Sequence, residues 1–407
     1  MRSSAREGGG TPVSALAAHA RAFGETFGGR GAPRLFFSPG RVNLMGAHLD
    51  YNGGPVMPTA IDRGTFLAVR SRPGGLVRLA STLDGMAAEH DLSSLPESRS
   101  GRWHDYPLGV VRELAALARA RGAADRTSGV EVLYGGNLAV GAGLSSSASI
   151  CVGTAVALDA LWGLELSRAE LVDAALRAER GFVGVQCGIM DPFAVGFARE
   201  GQLLWLDCKD VSLSWLPFDT AGHAIAVADT LVRRALAQGA FNERVRQCRE
   251  AFDALRPHVP GAVCLRDVPL EALEAHRAEL DPTIARRAEH VVHEVARTFA
   301  ARDALIAGDS ATFGAQMSRA HASLRELFEV SVPELDHLVE SAIACEGVLG
   351  SRLTGAGFGG CAVVLLERGA EVELIERLTR GYEARFGRRP RVEVYGGDPG
   401  PREVGPG

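Results

Sequence analysis

At 407 residues the chain is long enough for two domains with full cores, and 46% hydrophobic with 23% charged residues is the composition of a globular protein. A net charge of −5 excludes a general attraction for nucleic acid or acidic membranes. Seven scattered cysteines without a Cys-x-x-Cys pair argue for a reducing compartment and against a zinc site.

Residues 1–10 are polar and Gly-rich without an apolar centre, so they do not read as a signal peptide. No apolar run reaches the roughly 18 residues that span a bilayer, so a cytoplasmic, soluble protein is expected. Val13–Phe27 has helical apolar spacing. Strands are expected at Arg34–Phe37, Gly54–Ile61, Gly64–Arg70 and Val77–Ser81, then a helix over Trp103–Arg121 and a strand at Val130–Tyr134. Ala148–Leu161 reads as a helix, and so does Ser167–Glu179, which Ser167 and Glu170 open with capping-box spacing. Gln202–Leu206 and Ala224–Asp229 look like buried strands.

Beyond residue 230 the pattern changes to amphipathic helices at Arg233–Leu255, Ala285–Ala307, Ala311–Leu327 and Val332–Cys345. A glycine-rich turn, a buried strand at Cys361–Leu366, a helix at Glu371–Phe386 and a strand at Arg391–Tyr395 complete the chain. The ten leading residues and the last twelve, 396–407, are expected to fray. The irregular alternation of strands and helices points to an α+β fold in two domains, 1–207 and 208–407.

Four stretches carry chemistry. Residues 135–151 place Gly141 and Gly143 before Ser145, Ser146 and Ser147 at the mouth of a helix, where free N–H groups and the helix dipole favour an anion. The stretch reads as a phosphate cradle or, more plainly, as a glycine turn with an N-capping serine. No Gly-Lys-Ser/Thr follows, and Lys209 is the only lysine, so phosphate chemistry here must rely on Arg, backbone amides and a metal. Residues 38–54 pack Arg41, His48 and Asp50 into a loop between apolar strands, a set able to read the hydroxyls of a neutral polyol or simply to form a structural turn. Asp191 sits among Ile189, Met190 and Phe193 and needs a partner, for which Arg41 is the candidate, either for catalysis or as a buried structural pair. The glycines of 350–361 bring backbone close to a ligand or to another loop.

Together these stretches resemble the galactokinase branch of the GHMP kinases. The family motif Gly-Arg-Val-Asn-Leu-Ile-Gly-Glu-His-Thr-Asp-Tyr-Asn-Gly-Gly is followed by residues 40–54 except at Met45, Ala47 and Leu49. Gly143–Ser149 matches the second motif, Gly355–Cys361 the third with Ala356 as the exception, and Cys187–Asp191 retains Cys-Gly-Ile-Met-Asp. The resemblance implies an N-terminal ribosomal-S5-like domain and a C-terminal ferredoxin-like domain with the active site between them. It also implies Mg²⁺- and ATP-dependent phosphorylation of the anomeric hydroxyl of a galactose-like sugar.

By the same resemblance Asp191 would act on the sugar hydroxyl with Arg41 beside it. Ser147 and Glu179 would hold Mg²⁺, and the loop from Gly141 through Ala142, Gly143, Leu144 and Ser145 to Ser146 would hold ATP with Trp103. The sugar would meet His48, Asp50, Ala47, Gly188 and Phe241. The partners implied are a small sugar and ATP, without nucleic acid or membrane, and a monomer is compatible with them.

Three departures thin the sugar-reading set. Ala47 replaces the Glu that reads the 6-hydroxyl, Leu49 a Thr, and Phe241 a sugar-contacting Tyr. Gln186 and Pro192 also exchange their usual order around Cys187–Asp191. Gly-Ala-His-hydrophobic-Asp is similar to the plant galacturonokinases, so galacturonate or another galacto-configured sugar stands as an alternative substrate. A catalytically silent sugar and ATP sensor is a further alternative, opposed by the intact Arg41, Ser147, Glu179 and Asp191.

Overall fold

The computed structural model describes residues 13–29, 31–85, 87–139, 141–233 and 237–405. The chain opens with α1 (Val13–Phe27), β1 (Arg34–Asn43), β2 (Pro55–Val56), β3 (Pro58–Arg72), β4 (Leu76–Ser81) and β5 (Ala87–Asp91). Next come α2 (Asp105–Ala120), β6 (Gly129–Gly136), α3 (Ser146–Trp162), α4 (Arg168–Arg177), α5 (Met190–Gly196), β7 (Gln202–Asp207), β8 (Ser212–Pro217) and β9 (His223–Asp229). The second half holds α6 (Ala237–Leu255), α7 (Leu270–His276), α8 (Pro282–Ile306), α9 (Ser310–Glu326) and α10 (Pro333–Ile343). It ends with β10 (Val348–Thr354), β11 (Cys361–Glu367), α11 (Glu371–Phe386), β12 (Arg391–Tyr395) and β13 (Arg402–Glu403).

Six strands form one sheet in the order β13-β1-β3-β6-β4-β5, antiparallel except where β4 meets β6. The two-residue period of a strand sends alternate side chains to opposite faces. Leu35, Phe37, Phe66 and Leu133 meet Leu16 and Phe23 of α1, while Phe36, Leu67, Val69 and Val132 meet Leu108, Val111, Val152 and Leu158 from α2 and α3. Fully burying such a side chain is worth about 1.5–3 kcal/mol, which is why the sheet is covered on both faces.

The second sheet, β10-β11-β9-β12, has β9 and β11 at its centre, each an apolar run buried on both sides. One face, through Ala226 and Val364, joins the core of α8, α10 and α11. The other, through Ile225, Val227 and Val363, packs against Val42, Leu44, Met57, Ala142 and Leu144. This contact fixes the glycine-rich loop after β6 against the second half of the chain. A small third sheet, β2-β7-β8, contributes Val56, Leu204 and Leu206 to the core around α8.

Several expectations are corrected. The two strands expected at 54–61 and 64–70 are mainly one strand, β3, which continues through the polar pair Asp62–Arg63 and bends opposite a register shift at Pro39/Gly40. The turn expected around Gly350 is strand β10, whose Gly350 lies so close to Gly314 of α9 that neither position has room for a Cβ. Strands β5 and β8 have no counterpart in the sequence reading, since neither shows a continuous apolar pattern. The helix expected from Arg233 is described from Ala237, and Arg233 instead turns its guanidinium back to Asp229 at 2.6 Å. The tail expected to fray is held through residue 405: Arg402 and Glu403 pair with Phe37 and Phe36, and buried Asp398 accepts from Arg402. Residues 1–10 and 406–407 lie outside the described residues. The capping box at Ser167 and Glu170 is present.

Candidate active site

The glycine-rich loop reverses direction through Gly141 (φ +71°) and Gly143 (φ +78°), a backbone region that a Cβ disfavours. Ser145 follows with φ +61° at the start of α3, yet its hydroxyl makes no capping bond. It turns instead to the Asp191 carboxylate, which it meets at close range. A residue held in the left-handed region costs free energy unless its surroundings demand it, and here the demand is a polar contact across the site.

Arg41 is the hub. It is buried in β1, and its backbone N–H donates to Leu144 O. Its guanidinium donates to both Asp191 oxygens, each at 2.7 Å, and to Gly143 O at 2.6 Å. One side chain therefore joins the sugar-motif strand, the loop and the start of α5. Two parallel N–H···O bonds to a carboxylate make the strongest and most directional form of ion pair. The carboxylate remains partly open, its side chain 28% exposed against 4% for Arg41.

Asp50 lies against Gly188, where a Cβ would overlap its carboxylate, so the glycine is required by space. Burial first, and then the charge of Asp191, push Asp50 up to about 6. A carboxyl whose folded pKa is raised binds its proton more tightly in the native state, so its ionisation costs stability. That cost is absent below about pH 4, complete above about pH 6, and worth about 3 kcal/mol. Asp50→Asn is therefore expected to raise the melting temperature of the ligand-free protein by a few degrees more at pH 8 than at pH 5. Equal shifts at the two pH values, read by calorimetry, would mean that the carboxylate is not desolvated.

His48 (φ +59°) is buried beside Phe328, its ring centroid 4.8 Å away, and Phe241 lies 5.9 Å from it. Its Nδ1 is 2.8 Å from the Tyr51 hydroxyl, and burial lowers it to about 3, so the ring is neutral. Ala47 is buried against α8: its N–H donates to Glu294 Oε1 at 3.1 Å and its carbonyl lies 3.3 Å from His290 Nε2. Glu294, fully buried, also accepts from Arg297 at 2.8 Å and lies 3.6 Å from the Nη1 of fully buried Arg352. One guanidinium nitrogen of Arg352 has no hydrogen-bond partner.

Glu179 lies in a π-helical turn (Ala178–Val183) that extends α4 and brings the carboxylate inward. Burial raises it to about 7, with the Asp191 charge adding and the nearby Ser147 hydroxyl opposing. Its Oε1 is buried without a hydrogen-bond partner. An orphaned carboxylate oxygen beside a serine hydroxyl is a pair of hard donors of the type Mg²⁺ takes. Across the loop lies a cavity of about 660 Å³ lined by Trp103, Tyr106, Tyr134, Leu138, Ser146 and Ser147. That is within the range of small-ligand sites.

The structure thus gathers Arg41, Gly143, Ser145 and Asp191 at one point, with Asp50 and Gly188 against each other beside it. Gly141, Ser146, Ser147 and Trp103 line the cavity. Ala142 and Leu144 turn their side chains into the core, so only their backbone faces the loop. Residues 350–361, weak as a sequence signal, form the floor: a Cβ at Gly355 would come within 3.1 Å of Gly143 backbone, and one at Gly360 within 3.3 Å of Ala142 O. Glu294 and Arg352 escaped the sequence reading because a charge on an amphipathic helix, or beside a glycine turn, looks solvent-facing.

Family models match three regions: a galactokinase galactose-binding signature at residues 21–71, the GHMP kinase N-terminal domain at 105–199 and the GHMP kinase C-terminal domain at 301–384. The chain is 42% identical over 362 residues to the galactokinase of Roseiflexus sp. strain RS-1, covering 88% of this chain and 89% of that protein. The chain belongs to the galactokinase family. The Bacillus subtilis galactokinase is 36% identical over 385 residues, 94% of this chain and 97% of that one. The crystal structure of Lactococcus lactis galactokinase complexed with galactose superposes with a TM-score of 0.90 at 34% identity, over 96% of this chain and all of that one. A mevalonate kinase at 18% identity and a TM-score of 0.65 shares the fold. The α+β GHMP kinase fold of this galactokinase-family chain is thereby established, and the chain is a phosphotransferase. Among the described residues no helix is long and apolar enough to cross a membrane.

Proposed function

We propose that the protein is an ATP-dependent galactokinase that phosphorylates the 1-hydroxyl of galactose at Asp191. The observation that carries this reading is the bidentate Arg41–Asp191 pair, fixed to the loop carbonyl of Gly143 with the carboxylate left partly open. Phosphoryl transfer asks the protein mainly for positioning and charge neutralisation. Asp191 accepts the proton of the sugar hydroxyl or stabilises it electrostatically, and Arg41 holds the carboxylate's orientation. Asp50, with Gly188 making room, and His48 accept or donate to sugar hydroxyls, and Phe241 closes the pocket beside His48 and Tyr51.

The loop amides of 141–146 face the phosphates, and the Trp103 cavity takes the base and ribose. Ser147 and Glu179 would hold Mg²⁺, which when bound neutralises phosphate charge. An ADP-release assay with Mg·ATP across galactose, galacturonate, N-acetylgalactosamine, arabinose and fucose tests the reading. Release above background with galactose is expected, and none with any sugar would leave a silent sensor.

One observation favours a second reading, a tolerance for a 6-carboxylate. Ala47 contributes no charge, and the unpaired nitrogen of buried Arg352 belongs to the Glu294 cluster that grips the Ala47 backbone. A Glu at position 47 would repel a sugar carboxylate by about 4 kcal/mol at ~4 Å and an effective dielectric of ~20. Half of that is roughly 30-fold. Ala47→Glu is accordingly expected to shift the kcat/KM ratio of galactose to galacturonate toward galactose by about that factor. A ratio that does not move would show that position 47 does not face C6.

A further inference from the structure

The ends of α6 and α7 carry a cluster that the reaction does not use. His258 closes the short 3₁₀ turn Arg256–His258 after α6, His276 is the last residue of α7, and Glu279 ends the turn Arg277–Glu279 that leads toward α8. The two imidazole rings stack, with centroids 3.5 Å apart and planes 16° from parallel. Both direct a nitrogen at one carboxylate: His258 Nε2 is 3.1 Å from Glu279 Oε2, and His276 Nδ1 is 2.7 Å from Glu279 Oε1. The ligand atoms of all three residues lie within 4.8 Å of one another.

This arrangement is close to a metal-binding geometry. Two donors of a tetrahedral site with bonds of about 2.0–2.1 Å stand about 3.3 Å apart, near the spacing at which a stack holds two rings side by side. Turning the two rings out of their stack brings one nitrogen from each and a Glu279 oxygen, already within 4.8 Å of one another, onto a single ion. The side chains of His258, His276 and Glu279 are 31%, 29% and 56% exposed, which leaves water free to complete the coordination. Arg277, next to His276 in sequence, is drawn away into a pair with Glu289. The scattered cysteines that argue against a zinc site do not bear on a site made of histidines.

We propose that His258, His276 and Glu279 form a binding site for a divalent transition-metal ion of the zinc class, separate from the phosphate-loop site, which clips the end of α6 to the connection between α7 and α8. Two imidazoles and one carboxylate select zinc over magnesium, because nitrogen donors suit the softer ion. A ligand that binds only the folded state raises the melting temperature in proportion to the logarithm of its free concentration.

The test uses untagged, chelator-treated protein in magnesium buffer, with Zn²⁺ partitioned against a chromophoric chelator. Wild type is expected to hold one equivalent that His276→Ala loses and Glu279→Gln weakens by at least roughly tenfold. Zinc is expected to raise the melting temperature of wild type and not of His276→Ala, while galactose turnover is the same in both. Should His276→Ala fold poorly, His258→Gln on the exposed turn gives the same reading. Equal zinc stoichiometry and affinity in wild type and either histidine variant overturns the proposal. So does an equivalent that disappears in Cys264→Ser while the histidine variants keep it.

Discussion

Replacing Asp191 by Asn is expected to lower kcat by roughly 10²–10⁴-fold while ATP still binds, the range for loss of a general base or a charge at the reacting hydroxyl. Asn keeps the shape of the side chain and one carbonyl acceptor, so Arg41 retains a hydrogen bond and its tie to Gly143 O. What disappears is the charge and the second oxygen, the atom that also meets the Ser145 hydroxyl. The competing account makes Asp191 only the partner of buried Arg41. Under that account Asp191→Asn costs stability, since an unpaired buried guanidinium is expensive, and leaves kcat near the native value. Steady-state kinetics with calorimetric ATP binding and a thermal melt separate the two, and near-native kcat in the folded variant would end the assignment.

The second large effect is expected at Gly188. A methyl group there would occupy the space of the Asp50 carboxylate, so Gly188→Ala must rotate Asp50 out of the proposed sugar pocket or push the 184–190 turn away from the Asp50–Asn52 turn. Either movement misplaces the sugar relative to Asp191, and a displacement of about 1 Å can cost roughly 10²-fold in rate. The loss should fall on kcat/KM for galactose, with KM for ATP little changed because Gly188 does not line the Trp103 cavity. Gly188→Ala with native kcat/KM for galactose would show that Asp50 does not contact the sugar. Asp50→Asn supplies the contrast: it removes the Asp50 charge without adding bulk, and it is expected to stabilise the ligand-free protein above pH 6.

How far the chain was legible depended on whether a signal was local. Helices α1 and α11 and strand β12 were read with their observed ends, because each is a short segment whose apolar period and flanking turns lie within a dozen or so residues. The capping box at Ser167 was read for the same reason. Strand β8 was invisible because it is a largely exposed strand whose pairing with β7 supplies its order. The tail at 396–405 looked frayed because its Gly and Pro content is that of a loop, yet it is anchored by pairing with β1 and by the Asp398–Arg402 contact.

The sequence by itself pointed to the residues proposed for the reaction: Arg41, Asp50, Asp191 and the glycine loop through short motifs, and Ser147 and Glu179 through the resemblance of those motifs to the galactokinase family. It also suggested the Arg41–Asp191 partnership, because a carboxylate among apolar residues needs a cation. Only the tertiary structure decided how these groups meet. Ser145 serves Asp191 instead of capping α3, Gly143 O clamps Arg41, and Gly355 and Gly360 are glycines because the loop rests on them. Glu294 and Arg352 come from elements distant in sequence: Glu294 accepts from the Ala47 N–H, and Arg352 lies beside Glu294 and donates to Leu44 O. The reason is one of range: backbone propensity and side-chain period act over a few residues and are written locally. Which buried charge faces which depends on close packing between segments hundreds of residues apart, and only the folded core imposes that.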